Sequence, residues 1–254
     1  LFADHGTPLI AAENGVVVYA GNELRGYVCD FPTPTLNKRP RVVTLPHLGA
    51  STREAQDKFA IASTERAIKA NTDGSFAWEM APVTVKGKAG DVKFDKDEQP
   101  FKAKLDKIPG LKPAFKKDGT ITAANASSIS DGAAALVLMR ASTAEKRGLK
   151  PLARIVAHAT HAQAPEWFTT APAGAIQKAL AKSGWKASDV NLWEVNEAFA
   201  VVTMAAMKEF DLAHDIVNIH GGACALGHPI GASGARILVT LLGGLKKTGG
   251  KKGP

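Results

Sequence analysis

Disulfide chemistry is nearly absent from this chain. Its 254 residues carry two cysteines, Cys29 and Cys224, too few for a disulfide framework, and a reducing, cytoplasmic compartment fits. Aromatic residues make up only 6%. They are not interleaved with the basic residues in a stacking pattern, which argues against nucleic acid as a partner. No stretch approaches about 18 uninterrupted apolar residues, so no membrane span is expected. The opening Leu1-Phe2-Ala3-Asp4-His5 lacks a starting Met, a basic n-region and an apolar h-region. No signal peptide is expected there, and the start reads as internal.

What is present is ordinary globular composition, 45% hydrophobic and 22% charged, which excludes a fully disordered chain. The length allows one or two domains with a real core. Lys plus Arg number 32 against 24 for Asp plus Glu, a net charge of +8. The excess sits mainly in Lys-rich stretches at 86–117 and 246–252. Such a balance suits an anionic surface or a phosphorylated small molecule, and a solvated lysine surface produces it equally well.

Periodicity predicts short strands and turns over the first fifty residues. Leu9-Ile10 and Val16 to Tyr19 flank the hairpin dipeptide Asn14-Gly15. Pro32, Pro34 and Pro40 make a loop, and Arg41 to Leu45 reads as a buried strand. Ser51 and Glu54 have capping-box spacing for a helix running to about Ala70. Residues 80–128, rich in Lys and Gly, read as loop-dominated, with a short strand from Val83 to Lys86. Further on, Ala133–Met139 reads as a buried strand or a helix-to-strand passage, and strands are expected at Leu152–His158, Val190–Val195 and Val217–Ile219. Helices are expected at Pro172–Ser183, at Glu197–Phe210 and from Ser233. Ser233 is the expected cap of the last helix, and Ile237, Leu238, Leu241, Leu242 and Leu245 its buried stripe. Alternating strands and helices argue for an α/β layer architecture.

Three segments carry chemistry. His220 to Arg236, HGGACALGHPIGASGAR, packs glycines and two histidines ahead of a helix. Glycine permits close approaches that a Cβ would block, and His228, between Gly227 and Pro229, is placed to be a general base or an imidazolium donor. A purely structural glycine turn is the alternative. Asn196-Glu197-Ala198-Phe199 follows a predicted strand, where α/β proteins place ligands. Asn196 offers an amide donor there and Glu197 suits a helix N-terminus, although a simple helix cap would read the same. Asn125-Ala126-Ser127, followed by Asp131-Gly132-Ala133-Ala134, is turn chemistry on its own.

Taken in order, NASSISDGAAA, NEAF and GGACALGHPIGASGAR resemble the thiolases over about residues 56–254, and the Pro-Ile-Gly-Ala-Ser wording resembles the biosynthetic acetyl-CoA acetyltransferase branch. The resemblance implies an α/β, thiolase-like layered fold that is incomplete, with a short β/coil N-terminal segment ahead of it. Residues 56–128 would be the loop region that cradles coenzyme A. Residues 129–145 would end the N-terminal half, and 146–254 would be a truncated C-terminal half. It implies that His228 activates a nucleophilic cysteine and binds the thioester oxygen. Asn196 would orient a water in an oxyanion hole, Ser127 would touch the pantetheine arm, and Phe115 and Phe199 would wall the pocket. Acetyl-CoA and coenzyme A are the implied partners, as substrate and product; no separate cofactor and no metal are implied. A homodimer or homotetramer is the implied assembly.

The chain departs from that pattern. The two cysteines that thiolases use fall outside it, one N-terminal to the matching region and one beyond Pro254. Cys224 does not stand in a nucleophile's context. Phe101 stands where some members have an Arg that helps hold CoA. Residues 27–55 resemble the phosphoglycerate dehydrogenase family, with His47 at its catalytic acid but without partners or a dinucleotide fingerprint. Residues 1–26 resemble a LytM-type zinc endopeptidase, with His5 alone unable to hold zinc. The chain therefore reads as a chimera joined at short shared strings, Leu24 to Tyr27 and Thr52 to Glu54. Three functional readings stand open: an acyltransferase making acetoacetyl-CoA from two acetyl-CoA, a catalytically dead CoA-binding fragment, and a composite or wrongly assembled sequence with no function of its own.

Overall fold

The computed structural model describes residues 52–254 together with strands at 15–20, 23–29 and 42–44. It divides into two compact units, Leu1–Ala55 and Gln56–Pro254.

The first unit holds a three-stranded sheet ordered β1 (Gly15–Ala20), β2 (Glu23–Cys29) and β3 (Val42–Thr44). β1 and β2 pair antiparallel with a register shift at Val18/Tyr19, and β2 and β3 pair parallel. Gly15 opens β1, and two residues separate β1 from β2, the shortest usual antiparallel connection; the preceding arm of the hairpin expected across Asn14-Gly15 lies outside the described residues. Leu9-Ile10, the Pro32–Pro40 loop, His5, His47 and Ser51 lie outside the described residues.

α1 (Arg53–Thr72), most of which belongs to the second unit, opens with Thr52 Oγ1 accepting the N–H of Ala55 at 3.2 Å. The capping hydroxyl is thus one residue later than Ser51. Phe59, Ala60, Ser63, Thr64 and Ala67 recur at helical spacing on the buried face of α1, and two of these five are hydroxyl residues. β4 (Val83–Gly87) and β5 (Gly90–Phe94) form an antiparallel ribbon exposed along its whole length. α2 (Gln99–Lys102) and α3 (Ala141–Lys146) are short. α4 (Ala171–Ser183) has proline in its first turn and stops at Gly184, which takes the left-handed φ of 70°. α5 (Ala200–Glu209) begins three residues later than its periodicity suggests, because the chain through Phe199 is extended. α6 (Ala223–Leu226) is a single turn, and α7 (Ser233–Thr248) closes the unit. Along α7, Leu241 is buried but Leu238 is exposed; Ser233, Thr240, Gly243 and Gly244 complete the buried line in place of a leucine stripe.

The expected strands behave differently from one another. Around Val190–Val195 and Val217–Ile219 one parallel bridge forms, with Trp193 N–H donating to Ile216 O and Asn218 N–H donating to Trp193 O, each at 2.8 Å. Ala133–Met139 and Leu152–His158 form no ladder with any described residue, and Val137 is 88% and Leu152 81% exposed. β-branched composition favours extended backbone, but a ladder needs a neighbour with free main-chain groups. The core lies elsewhere. Val190, Trp193 and Val217 pack with Ile176, Leu180, Trp185 and Leu212, and Phe59, Ala200 and Cys224 pack with Met204. Among the described residues no helix is long and apolar enough to cross a membrane.

Candidate functional site

The end of the 190–195 segment and the glycine-rich turn meet at one place. Asn196 Nδ2 stands 3.4 Å from His228 Nε2, across 32 residues of chain. On the other side of the ring, His228 Nδ1 lies 2.7 Å from Ser233 Oγ, and that hydroxyl donates to Pro229 O at 3.2 Å. A hydroxyl has one proton, so Ser233 accepts from Nδ1–H and the Nε2 lone pair is left facing Asn196. Ser233 therefore fixes a tautomer; the capping role expected of it is absent, and Ala232 takes the cap position without a side-chain bond. The His228 pKa lies below the ordinary value, through burial first and the Arg236 charge second. At neutral pH the ring is thus a neutral base whose Nε2 lone pair faces the Asn196 amide. Asn196 Oδ1 is buried without a partner among the described residues.

The backbone that aims His228 is held from two directions. His228 N–H donates to Ser128 O at 2.9 Å, and Gln99 Nε2 donates to Cys224 O at 3.2 Å. Gly227, with φ of 93°, turns the chain out of α6 where a side chain would meet Ser130.

Ser127 lies beside the same strand end. Its N–H and Oγ both donate to Ala198 O, at 3.1 and 2.9 Å, and Ala126 bridges Phe199 in antiparallel fashion. Asn125, fully buried, holds this segment by donating to Asp57 Oδ1 and Thr120 O while accepting from Thr122 N–H. Phe115 and Phe199 meet edge to face at 6.2 Å, and Phe115 is 72% exposed. The residues that the sequence points to thus gather around two pairings, 125–129 with 198–200 and with 228. Sequence reasoning misses Phe168, whose ring lies 5.9 Å from that of Phe199. In a chain poor in aromatics, the adjacent Trp167-Phe168 is the available signal. A separate hollow of about 360 Å³ is rimmed by Lys102, Lys104 and Lys107, with Ile108, Ala123 and Ala124 in its wall.

Two sequence readings are settled by burial. Cys224 is buried, its Sγ points at Glu197 O, and burial pushes its thiol pKa well up, so it stays protonated. Glu197 is not in the first turn of a helix. Its carboxylate is fully buried, accepting from Ser63 Oγ at 2.8 Å, Asn218 Nδ2 at 2.8 Å and Cys224 N–H at 3.2 Å. No group of three or more His, Cys, Asp or Glu side chains among the described residues could hold a metal ion.

Comparison with known proteins gives the same picture throughout. The family described as "Thiolase, N-terminal domain" matches residues 47–142, and "Thiolase, C-terminal domain" matches 149–254. Acetyl-CoA acetyltransferase 2 of Arabidopsis thaliana is 53% identical over 205 residues, 80% of this chain and 51% of that protein. The crystal structure of the Bacillus anthracis acetyl-CoA acetyltransferase superposes with a TM-score of 0.77 at 46% identity, covering 80% of this chain and 52% of that one. The Acat5 thiolase of Ascaris suum, solved in complex with coenzyme A, gives 0.69 at 42% identity, covering 76% and 50%. The chain spans about half the length of the curated relatives it matches.

Proposed function

The chain belongs to the thiolase family across residues 47–142 and 149–254, and from that premise we propose that it carries the CoA-thioester site of an acetyl-CoA C-acetyltransferase. The reaction is the joining of two acetyl-CoA to acetoacetyl-CoA and CoA. The observation that carries this reading is the pairing of the Asn196 amide with the Nε2 lone pair of a His228 whose Nδ1–H is held by Ser233. A neutral imidazole of lowered pKa accepts a proton from the thiol of the nucleophilic cysteine that the thiolase resemblance places N-terminal to the matching residues, and once protonated at Nε2 it donates to the thioester oxygen, where negative charge develops. Asn196, beside that nitrogen, orients the second donor to the same oxygen through a water on its buried Oδ1. Ser127 and the rings of Phe115, Phe168 and Phe199 line the path of the pantetheine arm. The lysine-rimmed hollow suits the phosphates. Cys224, buried and protonated, has no nucleophilic part.

Homodimeric or homotetrameric assembly and a reducing, cytoplasmic compartment belong to the same reading. The first rests on the exposed apolar segments at 133–139 and 152–158, and the second on the unpaired thiol of Cys224. Residues 1–26 and 27–55 are, in this proposal, pieces of other proteins joined to the thiolase part. The stretch 47–55, where the family match begins, contains the Thr52-Arg53-Glu54 string that suits both neighbours. Peptides spanning 20–30 and 48–60 are the expected result of a peptide map. Absence of those peptides overturns the chimera.

Calorimetric titration of the chain with CoA tests the site. Binding is expected, weakened about fivefold by Ser127→Ala, the loss of one hydrogen bond of about 1 kcal/mol. Labelled acetyl-CoA should leave Cys224 unlabelled. CoA binding that ignores both Ser127→Ala and Phe199→Ala would sink the reading.

A further inference from the structure

The Glu197 carboxylate stands between the two arms that carry Asn196 and His228, and neither arm needs it as a cap. One arm is the strand end. Asn218, at a φ of 45°, accepts from Val195 N–H through Oδ1 and donates from Nδ2 to both Val195 O and Glu197 Oε1, each at 2.8 Å. The other arm is the glycine turn. Glu197 Oε2 accepts from Cys224 N–H at 3.2 Å and from Ser63 Oγ at 2.8 Å, and Ser63 Oγ in turn accepts from Gly222 N–H at 3.0 Å. A Cβ at position 222 would collide with the carboxylate itself. Arg66, one turn along α1 from Ser63, donates to Val217 O at 2.9 Å and clamps the same turn. The Ser63 hydroxyl on the buried face of α1 is thereby explained: it is a partner of this carboxylate.

We propose that Glu197 is a positioning residue of the site, one buried carboxylate that sets the spacing between Asn196 and His228 by holding the 195–196 strand end and the 218–224 turn together. The inference rests on the roles assigned above to Asn196 and His228. Its chemistry is specific to a carboxylate. The three donors approach both oxygens, so an amide of the same shape fails in either orientation. With its NH2 toward Asn218 Nδ2, or toward Ser63 and Cys224 N–H, a donor faces a donor. Burial pushes the Glu197 pKa up while the three hydrogen bonds push it down. Burial is the larger effect and leaves the pKa raised. The proposal concerns the ionised carboxylate, which alone accepts at both oxygens, since a protonated carboxyl carries a donor at one of them.

The test is a histidine-labelled NMR titration of the full chain, which needs no CoA and no turnover, so failure of CoA binding leaves it interpretable. In Glu197→Gln the turn loosens from Asn196, the burial that lowers the His228 pKa is relieved, and its titration midpoint rises toward the ordinary 6.5. The Asn196 side-chain amide signal shifts with it. Val190→Ala, a core truncation at the far end of the same segment, is the stability control and leaves His228 unmoved. Ser63→Ala removes one donor and gives a smaller rise in the same direction, which decides the matter should Glu197→Gln fail to fold. A His228 midpoint unchanged in whichever of Glu197→Gln and Ser63→Ala is folded, or moved equally by Val190→Ala, overturns the proposal.

Discussion

Residues 190–228 and residues 132–163 are both rich in small and β-branched apolar residues, yet they fare differently. In the first region Trp193 and Val217 are fully buried, their backbones pair, and Phe210 stacks on the Trp193 indole. In the second, Ile155, Val156, Val137 and Leu138 face outward and no described residue pairs with their main chain. The difference is one of partners, not of propensity. Trp193 has α4 and α5 side chains on its flanks, brought there by short connections; the apolar side chains at 137–138 and 155–156 have no such flanks and stay exposed, although α4 lysines reach the main chain at His158 and Thr160. Exposed strand-like sequence of this sort is a template for association. Asn196 and His228 sit in the first region, and their partners Ser127, Ser128 and Ser233 lie outside the second.

Truncating the centre of the first region should have the largest effect. Trp193→Ala is expected to cost about 3–5 kcal/mol in denaturant unfolding, as for other large core side chains. A loss below about 1 kcal/mol would mean that the first region is not the core. Next comes association: light scattering and melts at rising concentration should show the chain self-associating. Replacing Val137 and Leu138 together by lysine should suppress this, and a monomer whose melt ignores concentration would remove the distinction between the regions.

The pH response follows from buried carboxyls in and beside the core. Burial raises Glu194 to about 8 and Glu79 to about 7 from 4.5, with the Arg236 charge opposing in both. Folded, they keep protons that the unfolded chain sheds, so the stability they contribute is present below 4.5 and is lost as pH rises through about 7 to 8. His214 runs the other way: burial and Arg66 lower it to about 4 from 6.5, costing stability as pH falls through that window. The two oppose one another below 6.5, leaving pH 6.5 to 8 to the carboxyls. Melting temperature should fall across that window, and Glu194→Gln should flatten the fall. The smallest effect is expected outside the core: Leu138→Ser, at an exposed position, should change monomer stability by no more than about 0.5 kcal/mol.

Much of the site is legible in the amino-acid sequence. Glycine spacing and position after a strand point to His228 and Asn196, and the thiolase resemblance adds Ser127. The three converge because 125–129 pairs with 198–200 and with 228. Ser233 and Glu197 both read as helix caps, since hydroxyl and carboxylate residues ahead of apolar periodicity look like caps from sequence. A cap is a local bond; the bonds of Glu197 reach Ser63 and Asn218, and Ser233 turns its hydroxyl to the His228 ring instead of the helix end. Phe168 escapes for a related reason: its partner Phe199 is distant in sequence.

By itself the sequence determined the four long helices α1, α4, α5 and α7 to within a few residues, though not the short α2, α3 and α6. It also showed where glycines turn the chain and which short strings mark the family, because these depend on residues within a few positions of one another. The tertiary structure alone decided which strand-like segments find a partner, which histidine tautomer faces Asn196 and which carboxylate is buried between two loops. Those outcomes depend on atoms placed opposite one another by the rest of the fold, and nothing in local spacing encodes that distance.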